Sequence, residues 1–70
     1  WNESSIILYP NPTIDQIKIK GVDDVQIEIL NANGQLLTAT NKTTIDVSFL
    51  PAGVYFCRID GQLTKQFIKE

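Results

Sequence analysis

One stretch, Leu50-Pro51-Ala52-Gly53-Val54-Tyr55-Phe56-Cys57-Arg58-Ile59, restricts the fold more than any other part of the chain. Pro51 sets its own φ and offers no N–H, and Gly53 tolerates positive φ, so the stretch is expected to open as a turn entered at a fixed register. It then runs from Val54 to Ile59 through aromatic and β-branched residues that suit a pleated strand. Alternation puts Tyr55, Cys57 and Ile59 on one face and Val54 and Phe56 on the other. Apolar residues on both faces predict a central strand, with a loop or a neighbouring molecule over the second face.

The rest of the chain supplies partners for that strand. Ile6 to Tyr9 reads as a short first strand stopped by Pro10-Asn11-Pro12, where two prolines cannot donate to a ladder and Asn11 is pushed toward extended geometry. Ile14 to Lys20 alternates, with Ile17 and Ile19 inward and Lys18 and Lys20 outward, and Val25 to Leu30 repeats the pattern through Val25, Ile27 and Ile29. Asn33-Gly34 between two such runs is a strong hairpin signal, pairing Val25 to Leu30 with Gln35 to Thr40. Thr43 to Ser48 alternates through Ile45 and Val47, and Asp60-Gly61 forms a second two-residue hairpin turn joining the central strand to Leu63 to Lys69. Short strands at this spacing, with no helical periodicity, predict an all-β, immunoglobulin-like antiparallel β-sandwich of about seven strands. The expected core is Ile17, Ile19, Val25, Ile27, Ile29, Leu36, Ile45, Val47, Tyr55, Cys57, Ile59 and Phe67. Residues 1–5 are expected to end a linker and residues 6–70 to form one domain; a start at Trp1 and the lack of methionine suggest a piece of a longer polypeptide.

Composition excludes several classes of function. Seventy residues make at most one small domain, and a single cysteine permits no internal disulfide, so the core must hold the fold at a net stability of roughly 3 to 5 kcal/mol unless a neighbour helps. With no histidine and one thiol, neither a zinc site nor an activated nucleophile can be assembled around Ser48, Thr64 or Cys57; no enzymatic activity, metal or cofactor is expected. A net charge of −2 lacks the footprint of a nucleic-acid binder, and no apolar run is long enough to span a bilayer. Asp23 and Asp24 read as a solvated turn rather than a calcium loop, because no further oxygen ligands follow at the required spacing. Cys57 reads as a small buried hydrophobe. Asn2-Glu3-Ser4 and Asn41-Lys42-Thr43 match the glycosylation pattern, a motif that matters only in a eukaryotic secretory setting. Lys65 and Lys69, with Arg58 nearby, bias the last segment positive, which suits a solvated edge strand protected by lysines.

Three landmarks in order carry a resemblance: Tyr9-Pro10-Asn11-Pro12-Thr13, then Ile45 to Phe56 with Leu50-Pro51-Ala52-Gly53-Val54-Tyr55 at its centre, then Lys65-Gln66-Phe67-Ile68-Lys69, with the Asn33-Gly34-Gln35 turn between the first two. From Leu8 onward the chain resembles the type A C-terminal sorting domains of the type IX (Por) secretion system of Bacteroidetes. Cys57 stands where an aliphatic residue is usual, and Gln66 where a second lysine is frequent. The resemblance implies an N-terminal cargo domain in the same precursor, recognition by the outer-membrane translocon, and removal by a cell-surface sortase that joins the cargo to lipopolysaccharide. It implies passage through the periplasm to the outer-membrane surface or the medium, with cleavage in or before Trp1 to Ser5.

The residues it singles out for partner recognition are Pro10, Asn11, Pro12, Gly34, Leu50, Pro51, Gly53, Tyr55, Lys65, Phe67 and Lys69. The last hairpin, Val54 to Glu70, would present the signal through strand addition at its edge or capture of its end, held by turns at Pro10, Pro12, Gly34, Pro51 and Gly53. A homo-oligomer through a sheet edge or face is open at this size. The rival expectation is a non-catalytic binding module, for carbohydrate stacked on Trp1, Tyr9 and Phe49, or a structural spacer of a larger secreted protein.

Overall fold

A computed structural model of the chain describes residues 5–70, and those residues form two packed antiparallel sheets without an α-helix. The strands are β1 (Ile7–Tyr9), β2 (Gln16–Lys20), β3 (Ile27–Asn31), β4 (Leu36–Thr40), β5 (Thr44–Asp46), β6 (Gly53–Ile59) and β7 (Leu63–Lys69). One sheet has the order β1-β2-β5, the other β4-β3-β6-β7. β6 therefore lies inside the larger sheet, paired along its whole length with β7 and through Ile27 to Asn31 with β3. The all-β sandwich expected from the alternation is what forms. The linker reading of residues 1–5 falls almost wholly outside the described residues, as do Trp1 and the Asn2-Glu3-Ser4 triplet.

The core is the set of inward positions of both sheets. Ile17, Ile19 and Ile45 from the smaller sheet meet Ile27, Ile29, Tyr55, Cys57, Ile59 and Phe67 from the larger, joined by Ile6, Val47 and Leu50. The Tyr55 ring stacks on Phe67 with centroids 5.8 Å apart. Tyr55 also donates its hydroxyl to the Pro51 carbonyl at 2.6 Å. A tyrosine near the start of this strand, two residues before a cysteine position and bonded a few residues upstream, is the tyrosine corner of immunoglobulin-like sandwiches. Cys57 takes the cysteine position without a partner and is a free, buried thiol.

Several sequence expectations need correction. Leu36 was expected inside but is 55% exposed. Pairing of β3 with β4 shifts register between Ile29 and Leu30, so that Ile29 faces Thr38 but Leu30 faces Leu36. The extra residue, Leu37, reverses the alternation beyond it and turns Leu36 to the outer face, where it flanks Leu30. Val25 lies just before β3 and only packs against the core from its margin. Ile14, expected in the second strand, is exposed ahead of it.

Both hairpin loops are one residue longer than the two-residue form. Asn31 and Gln35 close a loop of Ala32 to Gly34, with Gly34 at φ 83°. Ile59 and Leu63 close Asp60 to Gln62, and positive φ at Asp60 and Gly61 gives the primed turn whose twist matches the strands. Gly53, expected in the turn before the central strand, is its first residue; the bend lies upstream, where the Leu50 N–H donates to the Val47 carbonyl at 3.0 Å.

Candidate functional site

The landmark segments, dispersed in sequence, converge at one end of the sandwich. Strand pairing brings Asn31, Tyr55 and Phe67 side by side and sets Gly53 against Lys69, so the end of β3, the start of β6 and the end of β7 share one pole. The Pro10-Asn11-Pro12-Thr13 crossover from β1 to β2 lies across the same place. Both of its X-Pro bonds, Tyr9-Pro10 and Asn11-Pro12, are cis. Gly34 sits in the adjoining hairpin loop, and Leu50 and Pro51 complete the pole by leading into β6.

The crossover seals part of the edge of β7. Asn11 accepts the Ile68 N–H on Oδ1 at 3.0 Å and donates from Nδ2 to the Gln66 carbonyl at 3.4 Å. Its side-chain amide thus serves the edge as a neighbouring strand would. Thr13 continues the cover with backbone bonds: its N–H donates to the Ile68 carbonyl and its carbonyl accepts the Glu70 N–H, each at 2.8 Å. This is a parallel bridge between Thr13 and Lys69. Thr13 is itself fully buried, its hydroxyl donating to the Gln16 carbonyl. The terminal segment was expected to leave a free edge for capture. From the Gln66 carbonyl to the Glu70 N–H that edge is closed.

The lysines of β7 also differ from a solvated fringe. Lys65 is paired with Cys57 and Lys69 with Gly53, which puts both on the inward side with Phe67. Lys69 is only 7% exposed and its ammonium donates to the Glu70 main-chain oxygen at 2.9 Å. Lys65 is half-buried beside a cleft of about 350 Å³ between β1 and β7, lined by Ile6, Ile7, Leu8, Asn11, Lys65 and Gln66. Arg58, on the opposite face of β6, is taken up by a 2.8 Å ion pair with Glu28. That face carries exposed Leu36, Val54 and Ile68 around a half-buried Phe56 and a buried Leu30.

Burial pushes the Cys57 thiol up to about 12, so it stays protonated near neutrality. The Asp46 carboxyl is held below its ordinary value by hydrogen bonds from Ser48, whose N–H it accepts at 2.9 Å in a turn. Among the described residues no cluster of three or more histidine, cysteine, aspartate or glutamate side chains could hold a metal ion, and no helix is long and apolar enough to cross a membrane. Tyr9 and Phe49 are exposed; Trp1, the third aromatic of the carbohydrate reading, lies outside the described residues.

Two features of this pole escape a reading of the sequence. Thr13 and Asn11 act on a strand more than fifty residues away, and nothing local marks them for it. The Pro51–Tyr55–Cys57 spacing of the tyrosine corner was a signal that could have been used. A family model described as "Secretion system C-terminal sorting domain" matches residues 7–70. No curated protein and no solved structure matches the chain.

Proposed function

The chain belongs to the secretion system C-terminal sorting domains of the type IX system, and from that premise we propose that its landmark pole is the face read by the outer-membrane translocon during export of an N-terminal cargo. The observation that carries this reading is the convergence of the landmark segments, which the family match spans together, on one hydrogen-bonded end of the sandwich. A receptor gripping that end meets the Pro10–Thr13 crossover, the Ala32–Gly34 loop and the end of β7 in one fixed arrangement. Preorganisation of this kind lowers the ordering cost of recognition.

The direction of the chain supports the same reading. β1 runs from Ile7 at the opposite pole to Tyr9 at the landmark pole. At the opposite pole Ser5 is seated on Gly21, where a Cβ would stand 2.1 Å from the Ser5 carbonyl oxygen. Cargo joined ahead of Ser5 therefore hangs from the end remote from the landmarks and leaves them accessible. In this proposal the domain is not an enzyme and takes no cofactor. A cell-surface sortase then cleaves ahead of Ile6, which is buried, and joins the cargo to lipopolysaccharide after transit through the periplasm.

A reporter exported to the periplasm of a type IX-competent host and ending in residues 1–70 is expected at the cell surface or in the medium. Deleting residues 65–70 should retain it in the periplasm. Phe49→Asp changes only an exposed side chain at the landmark pole, 63% accessible, so the fold should persist while delivery falls at least tenfold. Undiminished delivery of a folded Phe49→Asp, Asn33→Lys double variant would reject the pole as the recognised face.

A further inference from the structure

The cover over β7 stops short. Strand residues alternate in the side to which they send their backbone groups, and Ile68 sends both of its groups outward to Asn11 and Thr13. Thr64 and Gln66 share that parity with Ile68, on a ladder that pairs with β6 without a break. The Gln66 carbonyl is reached by Asn11, but among the described residues nothing pairs with the Gln66 N–H or with the N–H and carbonyl of Thr64. Directly beside this gap is the cleft between β7 and β1, with Ile6, Ile7 and Leu8 on one wall and Lys65 and Gln66 on the other. Among the described residues no carboxylate lies within ion-pair distance of the Lys65 ammonium.

We propose that this gap is a strand-addition site, in which an extended acidic and apolar peptide of a partner protein pairs with the free backbone groups of Thr64 and Gln66. The peptide lies in line with the Asn11–Thr13 cover and sends apolar side chains toward Ile6 and Leu8. A carboxylate of the peptide meets Lys65. The backbone pairing supplies affinity, while the cleft and the ammonium select the side chains. β4, the other edge of the same sheet, lacks this combination: its residues Leu36 to Thr40 carry no charge, and none of them lines the cleft. The site borders the landmark pole, since Asn11 and Lys65 line its cleft, but its free backbone groups on Thr64 and Gln66 lie beyond the cover; it is a second contact and is tested apart from the first. Only the assignment of the partner to the secretion machinery rests on the family reading.

The probe is the capped peptide acetyl-Val-Thr-Asp-Thr-Val-amide, whose two valines and aspartate share one face of an extended strand, titrated into the isotope-labelled chain with a backbone N-methylated twin as control. A single short strand should bind weakly, with a Kd on the order of 1 mM. The amide signals of Thr64 and Gln66 are expected to shift most, the N-methylated twin to bind at least tenfold more weakly, and Lys65→Glu to abolish the response while leaving the spectrum dispersed. Shifts confined to β4, or equal binding of the twin, would overturn the proposal, as would an unchanged Gln66 amide at several millimolar peptide. In the reporter assay, Thr64→Pro removes an outward donor at an edge position that tolerates proline. If Thr64→Pro and Lys65→Glu both reach the surface normally while deletion of residues 65–70 does not, the strand-addition site plays no part in export, and the sorting role is untouched.

Discussion

The two poles of the sandwich solve the same problem by different means. At each, loops must reverse the chain between strands. At the landmark pole the loops are tied by side chains: Asn11 to β7, Asp46 to the Ser48 N–H, Tyr55 to Pro51, and Asn31 to the backbone N–H groups of Asn33 and Gln35. At the opposite pole backbone conformation carries most of the reversal: Gly21, Asp24, Asp60 and Gly61 all take positive φ, and Thr40 supplies the main side-chain tie, to the Lys42 N–H. A backbone turn can be met by many sequences with glycine, asparagine or aspartate in the right place. A turn held by a particular amide or hydroxyl cannot. This explains physically why the segments that carry the family resemblance cluster at one end.

The contrast breaks first where the core and the landmark pole overlap. Phe67 is fully buried against Tyr55, and removing its ring should cost about 3 to 5 kcal/mol. That equals the roughly 3 to 5 kcal/mol available to a domain of this size. Phe67→Ala is expected to be largely unfolded at 25 °C, which loss of amide dispersion or a missing urea transition would register. A cooperative transition at the parent midpoint would mean that Phe67 is not the keystone of the pole.

Next in size is a test of the backbone-built pole. Gly21 sits at φ 99° with no room for a methyl group against Ser5, whereas Gly61 at φ 67° has open space where its Cβ would be. Gly21→Ala is therefore expected to cost about 2 to 3 kcal/mol through strain and displacement of the chain entry, and Gly61→Ala about 1 kcal/mol from backbone conformation alone. Chemical denaturation of the pair measures the difference. Equal costs would show that the seat for Ser5 is not tight.

These two poles also mark what the sequence could disclose. Alternation alone identified the inward isoleucines of β2, β3 and β5 and the central place of β6, because burial of one sheet face enforces a period of two. Leu36 defeated the same rule through one inserted residue, an event with no signature in composition. The hairpins were visible from Asn33-Gly34 and Asp60-Gly61, but their length was not, since a glycine in the left-handed region serves a two-residue turn and a three-residue loop equally. The landmark pole was legible as motifs and opaque as mechanism. Pro10-Asn11-Pro12-Thr13 announces a corner; that the corner closes the edge of β7 depends on where two segments meet at opposite ends of the chain. Burial of Lys69 follows from that meeting and was hidden for the same reason.

Asn11 sharpens the comparison at smaller magnitude. Asn11→Ala removes two hydrogen bonds that seal β7, at 3.0 and 3.4 Å, and the longer adds little. A loss of about 1 to 1.5 kcal/mol is expected. The more telling readout is local: exchange of the Ile68 amide should quicken far more than that of amides in β2 or β5. If exchange quickens uniformly, the crossover supports the whole sandwich rather than guarding one edge.

The smallest effect belongs to a pair that lies between the poles. Arg58 and Glu28 face each other across β6 and β3 on the outer surface. The hydrogen bond from Arg58 holds the Glu28 carboxyl below its ordinary value. Because the folded state lowers this pKa, any stabilisation is complete above the ordinary glutamate value and fades as pH falls through the depressed one. Surface pairs of this kind contribute little once solvent screens them. Arg58→Gln should raise the Glu28 titration midpoint observed by NMR and flatten the acid limb of stability slightly, with no change in the unfolding midpoint at neutral pH beyond experimental scatter. A marked loss of stability at neutral pH would show that the outer face of β6 matters to the fold as much as the side-chain ties at its end, and the division between a specified pole and a generic remainder would have to be redrawn.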